Sequence, residues 1–402
     1  MPRTYLSGAD LVLPDRVASG HTLVIEGDRI VDIASGPRTM AADEVRIDRA
    51  GHFVLPGLID VHVHGAAGGD VLDGDGAVAA LARLMPRWGV TAFCPTTVAC
   101  APDALHTFLG EVARLRGGPR IGARVLPAHL ESNFVNPAFR GAQPLACLRT
   151  PPSSSTGAAT AGGEFTAGDI LGVIDRARPD VGIITMAPEL EGGDALVKAF
   201  VAGGIIVSLG HSGATFEQAQ AAIALGARQA THLFNRMSAM NHRDPGLSGA
   251  VLASEDVAAE LICDGRHVHP AVMNVAIAAK GPSRVMAITD GTAGSGLPSG
   301  SRARLGGAAI TVGDVARLDD GTTAGSVLTM DRALATLVTQ CGVDIVVAAR
   351  LCSTTPAREL GLSGHGAIAA GAIADFVVLD SHLRVVETWI AGERAWPEPP
   401  AA

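Results

Sequence analysis

Two histidines, His62 and His64, lie one residue apart in the apolar stretch 56–65. Side chains alternate along a strand, so both imidazoles face one way while Val61 and Val63 face the other. Two neighbouring imidazoles at the end of a buried strand favour a metal site over two polar residues on an exposed strand face.

Further polar residues that could do chemistry occur along the chain, each at the C-terminal end of a predicted strand. They are Glu131 on the third strand, His211 on the fifth, His232 on the sixth and Asp290 on the eighth. In a barrel of parallel strands these ends meet at one mouth, where catalytic residues lie. A lone histidine is more often a hydrogen-bonded structural residue than a ligand. Six such residues in phase with strand ends favour a metal centre.

The donor types indicate which ions and which chemistry to expect. Imidazole nitrogens and a carboxylate suit Zn²⁺, and also Fe²⁺, Mn²⁺ or Co²⁺. Four histidines exceed the three protein ligands usual for one catalytic zinc, so two ions that share Glu131 would use them all. Asp290 is then left as a base. A bound divalent ion acidifies water and a nearby carboxylate can accept its proton, so the set predicts metal-assisted hydrolysis.

The elements that would position these residues alternate between strands and helices in the middle of the chain. Helical patterns include 77–88 and 217–225. Strands are predicted at 59–64, 91–96, 125–131, 181–186, 205–211, 230–235, 260–264 and 285–290. This alternation favours an α/β fold, a (β/α)₈ TIM-like barrel. Periodicity alone does not exclude an open doubly wound sheet, although no Gly-x-Gly-x-x-Gly turn follows the first strand.

Both ends of the chain have a different character, with short strands joined by turns. Residues 22–33 form a hairpin pattern around Gly27, and 374–380 and 385–392 form another pair of strands. We expect the two ends to meet in a small β-sandwich. The predicted units are 1–55 and 358–402 for the sandwich and 56–357 for the barrel.

Length and composition agree with this organisation. The 402 residues, 48% of them hydrophobic, can build a barrel and a small second domain. A net charge of −9 argues against a nucleic-acid partner. No apolar run reaches the roughly 18 residues of a membrane helix, and the N-terminus lacks a signal sequence, so we expect no membrane partner and a cytoplasmic location.

Two further features carry smaller predictions. The six scattered cysteines are expected to be free thiols, most of them buried. The small, polar stretch 151–163 follows the third strand, and a solvated loop is favoured over a lid.

Nine short motifs follow one another along nearly the whole chain. They are PGLID at 56–60, CPTT at 94–97, HLE at 129–131, LGHS at 209–212, THLFN at 231–235, PGL at 245–247, DGRHV at 264–268, TDGT at 289–292 and AGS at 324–326. This set resembles the amidohydrolase superfamily and, within it, the N-acetylglucosamine-6-phosphate deacetylases. Many two-metal amidohydrolases bridge their ions with a carboxylated lysine on the fourth strand. Neither Lys198 nor Lys280 lies there, and deacetylases of this family use a glutamate such as Glu131.

The resemblance implies a role for each matching residue. Glu131, His211 and His232 would hold the ion that the family always keeps, and His62 and His64 a second one. Asp290 would act as general base and then as the acid that protonates the departing amine. The positions expected to contact substrate are Ala142 and Asn235 at the sugar, Arg243 and His267 at the 6-phosphate, partly across a dimer interface, and Thr323, Ala324 and Gly325 in a closing loop.

The sequence departs from the family at the substrate wall. Ser132 and Asn133 follow Glu131 where relatives usually have Gly-Pro. Gln143 stands where relatives usually have a histidine near the acetyl carbonyl; glutamine donates a hydrogen bond but cannot become cationic. Arg236 replaces a small residue, and would add a phosphate contact or fill a pocket.

The function that we predict is removal of the acetyl group from an N-acetylamino sugar phosphate. The foremost substrate is N-acetylglucosamine 6-phosphate, which would give glucosamine 6-phosphate and acetate, with one or two divalent ions per subunit of a homodimer. One alternative is a different substrate, N-acetylgalactosamine 6-phosphate or an unphosphorylated sugar. Another is an inactive relative that senses a sugar phosphate.

Overall fold

The computed structural model describes residues 3–36, 44–152 and 164–397. Its strands, in chain order, are β1 (Arg3–Ser7), β2 (Asp10–Val12), β3 (Val17–Ala18), β4 (His21–Glu26), β5 (Arg29–Ser35), β6 (Val45–Asp48), β7 (Phe53–Pro56), β8 (Leu58–Val63), β9 (Gly65–Ala66), β10 (Gly69–Asp70), β11 (Val90–Thr97), β12 (Arg124–Val125), β13 (Ala128–Glu131), β14 (Val181–Met186), β15 (Ile206–Leu209), β16 (Gln229–Ala230), β17 (Ala258–Ile262), β18 (Val285–Ile288), β19 (Arg302–Leu305), β20 (Ala308–Val312), β21 (Ala316–Leu318), β22 (Phe376–Leu379), β23 (Val385–Ile390) and β24 (Glu393–Trp396).

Ten α-helices accompany these strands in the described residues. They are α1 (Ala77–Leu84), α2 (Pro102–Gly117), α3 (Ala167–Arg176), α4 (Gly193–Ala202), α5 (Phe216–Ala224), α6 (Gly246–Ala253), α7 (Pro270–Lys280), α8 (Met330–Thr339), α9 (Ile345–Ala349) and α10 (Thr355–Glu359). The helices predicted near 77–88 and 217–225 are confirmed as α1, with a 3₁₀ turn after it, and as α5. Thr215 and Gln218 form a capping box that starts α5.

Eight parallel strands form the barrel. They pair in the order β8, β11, β13, β14, β15, β16, β17 and β18. The last strand returns to the first through a parallel bridge between Val63 and Gly291 and a hydrogen bond of 2.9 Å from Asp290 N to His62 O. The predicted TIM-like barrel is confirmed, and the alternative of an open doubly wound sheet is excluded.

The barrel strands are shorter than predicted at the mouth. β15 ends before His211, β16 before His232 and β18 before Asp290. These three residues lie in the turns that follow, each with a positive φ, of 48°, 34° and 49° respectively. A positive φ is unfavourable for residues with a Cβ and is found where surrounding structure enforces it, often at functional sites. In these turns all three side chains can point into the barrel mouth. In a continued strand, successive side chains would have pointed to opposite faces.

The two chain ends meet as predicted. One sheet has the order β5-β4-β1-β6, and the other the order β24-β23-β22-β7-β2-β3, in which β22 pairs antiparallel with β7. A separate apolar core includes Leu6 and Leu23 from the first sheet and Val54 and Phe376 from the second. The β-sandwich is therefore confirmed, while the unit boundaries at 55/56 and 357/358 stay a prediction.

A third sheet was not predicted. β19, β20 and β21 form an antiparallel sheet after the last barrel strand. Its buried residues Leu305 and Ile310 cluster with Val98 of the barrel and with Ala324. The sheet therefore places the segment 323–325 beside the barrel mouth.

The remaining predictions concern cysteines, the polar stretch and membranes. All six cysteines are free, and all but the half-buried Cys147 are buried, as predicted. Most of the stretch predicted as a solvated loop, residues 153–163, lies outside the described residues. Within the ranges that the structure describes, no helix combines the length and apolar character needed to cross a bilayer.

One buried carboxylate joins the barrel to the sandwich. Asp375, just before β22, accepts hydrogen bonds from Arg124 of β12 at 3.2 and 3.3 Å, from His365 Nδ1 at 3.0 Å and from Ala391 N at 2.7 Å. Its backbone oxygen accepts from Gly57 N at the start of the barrel. Burial opposes its charge, but His365 and Arg124 lower the pKa of Asp375 below its usual value.

We expect Asp375→Asn to destabilise the fold by about 2–3 kcal/mol near neutral pH, since a buried group loses charge-assisted hydrogen bonds. Folding lowers the pKa of Asp375. The stabilisation of the fold by its ionised carboxylate is therefore complete above the unfolded pKa of 3.8, and it is lost as pH falls through the lower folded pKa. The shift in the urea midpoint measures the loss. Asp319→Asn, which breaks an exposed pair with Arg302, is the control and should shift the midpoint less. Equal shifts would contradict the assignment.

Candidate active site

Glu131 lies at the centre of four imidazoles. Its Oε1 atom is 3.0 Å from the Nε2 atoms of both His211 and His232. The same atom is 3.7 Å from His62 Nε2, and Oε2 is 3.7 Å from His64 Nε2. All five side chains are buried. The structure thus brings the predicted ligands together as two groups that share Glu131.

The orientation of the imidazoles fits a divalent ion. Three Nδ1 atoms donate to protein oxygens: His62 to Glu260 Oε2 at 2.9 Å, His64 to Thr96 O at 3.0 Å and His211 to Phe139 O at 2.9 Å. A carbonyl or carboxylate oxygen only accepts, so these nitrogens carry the proton and Nε2 is left for a metal. The Nε2 atoms approach one another, at 3.2 Å between His62 and His64 and 3.1 Å between His211 and His232. Bare nitrogens this close repel unless a proton or a cation lies between them.

Asp290 faces this cluster from the end of the barrel. Its Oδ1 atom is 3.2 Å from His64 Nε2 and 3.4 Å from His62 Nε2. The backbone of Asp290 is held on both sides, because its oxygen also accepts from Ser326 N at 2.8 Å. A Cβ on Gly325, where φ is +60°, would lie 2.9 Å from Asp290 O. Gly325 is therefore the residue type that lets the 323–325 segment approach the carboxylate.

The charges of the cluster determine its protonation before an ion binds. Burial opposes charge on Glu131 and Asp290, yet the imidazoles lower the pKa of both, that of Glu131 well below its usual range. Burial also opposes charge on His64 and His232, but the two carboxylates raise the pKa of each ring to about 9. Burial lowers the pKa of His62 to about 3. A divalent ion would displace the protons, since histidine binds metal through an unprotonated nitrogen.

A cavity of about 730 Å³ opens above the cluster. Seven of the nine predicted substrate residues line it: Ala142, Gln143, Asn235, Arg236, His267, Thr323 and Gly325. The other two do not. Ala324 is fully buried behind the wall, and Arg243 lies in an exposed segment outside the cavity of this chain.

Gln143 is held against Glu131. Its side-chain nitrogen donates to Glu131 Oε2, and its oxygen accepts from Ala99 N at 2.7 Å. Only 3% of the residue is exposed. In this arrangement the Gln143 amide covers one oxygen of the shared carboxylate, a contact that the sequence did not predict.

Cationic side chains line the wall of the cavity. Arg236 was predicted there, while Arg266 and Arg317 were not. His267 donates from Nδ1 to Asp264 at 2.6 Å, and its Nε2 has no hydrogen-bond partner among the described residues. The wall therefore suits an anionic group on the ligand.

Two other residues beneath the cluster were missed. Glu260 is the only charged residue in the apolar strand β17, and His129 lies two positions before Glu131 on the same strand face. Both side chains are fully buried. Burial raises the pKa of Glu260 to about 7, and strongly perturbed acids concentrate at functional sites. A lone carboxylate within an apolar strand was the available signal.

Comparisons with known proteins agree with this geometry. The Amidohydrolase family profile matches residues 194–395. The chain is 37% identical over 363 residues to the N-acetylglucosamine-6-phosphate deacetylase of Danio rerio, covering 87% of this chain and 86% of the relative. The chain belongs to the N-acetylglucosamine-6-phosphate deacetylase family of amidohydrolases. It is accordingly a metal-dependent amide hydrolase.

Two further members of this family show how broad the similarity is. A solved mutant structure of N-acetyl-D-glucosamine-6-phosphate deacetylase from Mycobacterium smegmatis, in complex with N-acetyl-D-glucosamine-6-phosphate, has a TM-score of 0.87 and 31% identity, covering 98% of this chain and 100% of that chain. The N-acetylgalactosamine-6-phosphate deacetylase of Escherichia coli O157:H7 is 35% identical over 352 residues, covering 87% of this chain and 89% of the relative.

Glu131→Gln tests whether one carboxylate serves the whole cluster. We expect the variant to lose all bound divalent ion on dialysis, because Glu131 belongs to both ligand groups at the barrel mouth. Elemental analysis of the dialysed protein measures the ion content per subunit. His267→Gln, which changes the cavity wall but neither group, should keep the wild-type content. If Glu131→Gln keeps the wild-type number of ions per subunit, Glu131 is not a ligand that both groups need.

Proposed function

We propose that this protein removes the acetyl group from an N-acetylamino sugar 6-phosphate, foremost N-acetylglucosamine 6-phosphate. The products are acetate and the amino sugar phosphate. The observation that carries the proposal is the arrangement of Glu131 among four imidazoles with Asp290 opposite, below a cavity with cationic side chains on its wall.

The chemistry is divided between an ion and the chain's own groups. A divalent ion would be held by Glu131 and the four imidazoles, and there it would supply a Lewis acid for the amide carbonyl and lower the pKa of a water molecule. Asp290 accepts the proton of the attacking water through a side-chain oxygen. It then donates that proton to the amide nitrogen as the C–N bond breaks, so that the amine leaves neutral.

The position of Asp290 supports this role. Its turn conformation and two backbone hydrogen bonds fix the carboxylate against the cluster. The neighbouring imidazoles keep it ionised despite its burial, so it is ready to accept a proton at neutral pH. A base that is already oriented loses little entropy in the transition state.

The cavity wall supports a phosphorylated substrate. A planar guanidinium donates two parallel hydrogen bonds to a phosphate, and Arg236, Arg266 and Arg317 are within the wall. We propose Arg236 and His267 for the 6-phosphate, and Ala142, Gln143 and Asn235 for the sugar and its acetyl group. Thr323 and Gly325 contribute the closing segment, and Ala324 supports it from behind.

We infer further that the ion is zinc, with one or two per subunit, and that the protein is a cytoplasmic homodimer. Nitrogen and carboxylate donors favour Zn²⁺ while also suiting Fe²⁺, Mn²⁺ or Co²⁺. Free, mostly buried thiols suit a reducing compartment.

Arg243 and Met240 lie in one exposed segment, and Met240 is 54% exposed. This exposure fits a subunit interface at which Arg243 contacts the phosphate of a substrate bound to the partner subunit. Sedimentation analysis measures the assembly.

Asp290→Asn tests the proton transfer. We expect kcat to fall by about 10²–10⁴-fold, since an amide cannot accept the proton. Ion content should stay at the wild-type level, because the clustered ligands are intact. An acetate-release assay with parallel elemental analysis measures both. Near-normal turnover would remove Asp290 from the mechanism.

A panel of substrates tests the identity of the sugar. We expect N-acetylglucosamine 6-phosphate to have the highest kcat/KM, and loss of its phosphate to lower kcat/KM by at least about 10-fold, as a lost charge-assisted contact costs 1.5–3 kcal/mol. Acetate release measures each rate. Faster turnover of N-acetylgalactosamine 6-phosphate, or indifference to the phosphate, would overturn the assignment. Tight binding without any acetate release would indicate a sensor.

A further inference from the structure

Beneath the ligand cluster, the fully buried carboxylate of Glu260 contacts both halves of the site. Its Oε2 atom accepts from His62 Nδ1 at 2.9 Å and from the backbone N of His232 at 3.3 Å. The backbone oxygen of Glu260 accepts from Leu233 N at 2.8 Å. One residue of β17 therefore holds the side chain of one candidate ligand and the turn that carries another.

A second residue inside the barrel, His129, also restricts the orientation of the His62 ring. The ring of His129 packs edge-on against it, with centroids 4.6 Å apart at 66°. His129 is itself fixed, because Nδ1 donates to Val61 O at 3.0 Å and Nε2 pairs with Thr185 Oγ1 at 2.7 Å. His62 is thus left with one orientation, in which Nδ1 meets Glu260 and Nε2 meets the cluster.

The group formed by His62, His129 and Glu260 is not itself an ion site. Both nitrogens of His129 and the Nδ1 of His62 already have protein partners. Glu260 Oε1, 3.6 Å from His129 Nδ1, has no hydrogen-bond partner among the described residues. Such an oxygen is costly to bury, and its retention beneath the cluster indicates a purpose other than stability.

We propose that Glu260 is a positioning residue for the metal centre: its carboxylate holds His62 with Nδ1 protonated and Nε2 aimed at the ion. The inference rests on the metal centre of the proposed function but not on the identity of the substrate. Hydrogen bonds of this kind orient a ligating histidine and strengthen it as a donor, and their loss typically weakens metal binding 10–100-fold. A carboxylate makes a stronger hydrogen bond to the ring than an amide oxygen would, so a glutamine in its place should hold His62 less firmly.

Two substitutions separate the hydrogen bond from the charge. Glu260→Gln keeps an acceptor for His62 but loses the charge, whereas Glu260→Met fills the space and removes the acceptor. Glu111→Gln is the matched control. Glu111 is buried and accepts hydrogen bonds from the backbone N of Val78 and Ala79 at the start of α1, away from the cluster.

The experiment titrates Zn²⁺ into the metal-free full-length protein in competition with a chromophoric chelator. We expect wild type and Glu111→Gln to bind two ions per subunit. The ion held by His62, His64 and Glu131 should bind about 10-fold less tightly in Glu260→Gln and about 100-fold less tightly in Glu260→Met. In a His64→Gln background we expect only the ion held by Glu131, His211 and His232 to bind. Adding Glu260→Gln there should change the remaining affinity little, because the glutamine oxygen still accepts from the backbone N of His232. If the methionine variant does not fold, Glu260→Ala, which also lacks the acceptor for His62, replaces it.

Unchanged affinities in the variant that lacks the acceptor for His62, an equal loss in Glu111→Gln, or a wild type that binds one ion only would each overturn the proposal. Acetate release by the wild type is scored separately. If the wild type releases no acetate but the Glu260 variants still bind the ion less tightly, the proposed function is wrong and the positioning role stands. An active wild type with unchanged variants defeats the positioning role alone.

Discussion

The contact between the Glu131 carboxylate and four imidazoles depends on closure of the barrel. His62 and His64 lie at the end of the first barrel strand, and His211 and His232 lie in two turns far away in sequence. Parallel pairing brings all four within 4 Å of one carboxylate. Imidazoles and carboxylates packed so tightly are unfavourable unless protons or a cation lie between them. The fold must therefore be stable enough to hold the cluster together, and the apolar interior supplies that stability.

The barrel and the approximate positions of its polar residues could be predicted because they follow from local pattern. His62 lies on a strand that is buried over its whole length, and His64 follows directly after its last residue, Val63. The alternation of side chains along an extended chain was enough to place the two imidazoles on one face. The other candidate ligands were expected at strand ends, where parallel strands converge. No particular contact between distant residues had to be known to find them. The assumption that the strands close into a barrel was enough.

What could not be predicted depends on contacts between distant residues. The turns at His211, His232 and Asp290 adopt positive φ because tertiary contacts enforce it, and a strand pattern gives no sign of this. The hydrogen bond between Gln143 and Glu131 depends on where a loop folds back. Arg243 lies outside the cavity of this chain, so its expected role at a phosphate across a dimer interface stays a prediction. The sheet β19–β21 was missed although Gly306 and Gly307, between β19 and β20, are a hairpin signal.

The pairing of β7 with β22 has a consequence for how the chain folds. A ribosome releases β7 before the whole barrel and β22 after it, so the six-stranded sheet cannot be completed until the barrel residues have been synthesised. Until then, the edge of β7 lies open to pairing with strands of other nascent chains. The barrel is made entirely of intervening residues and can form first. It then acts as a scaffold that brings the two termini close enough for the late strands to seal the edge.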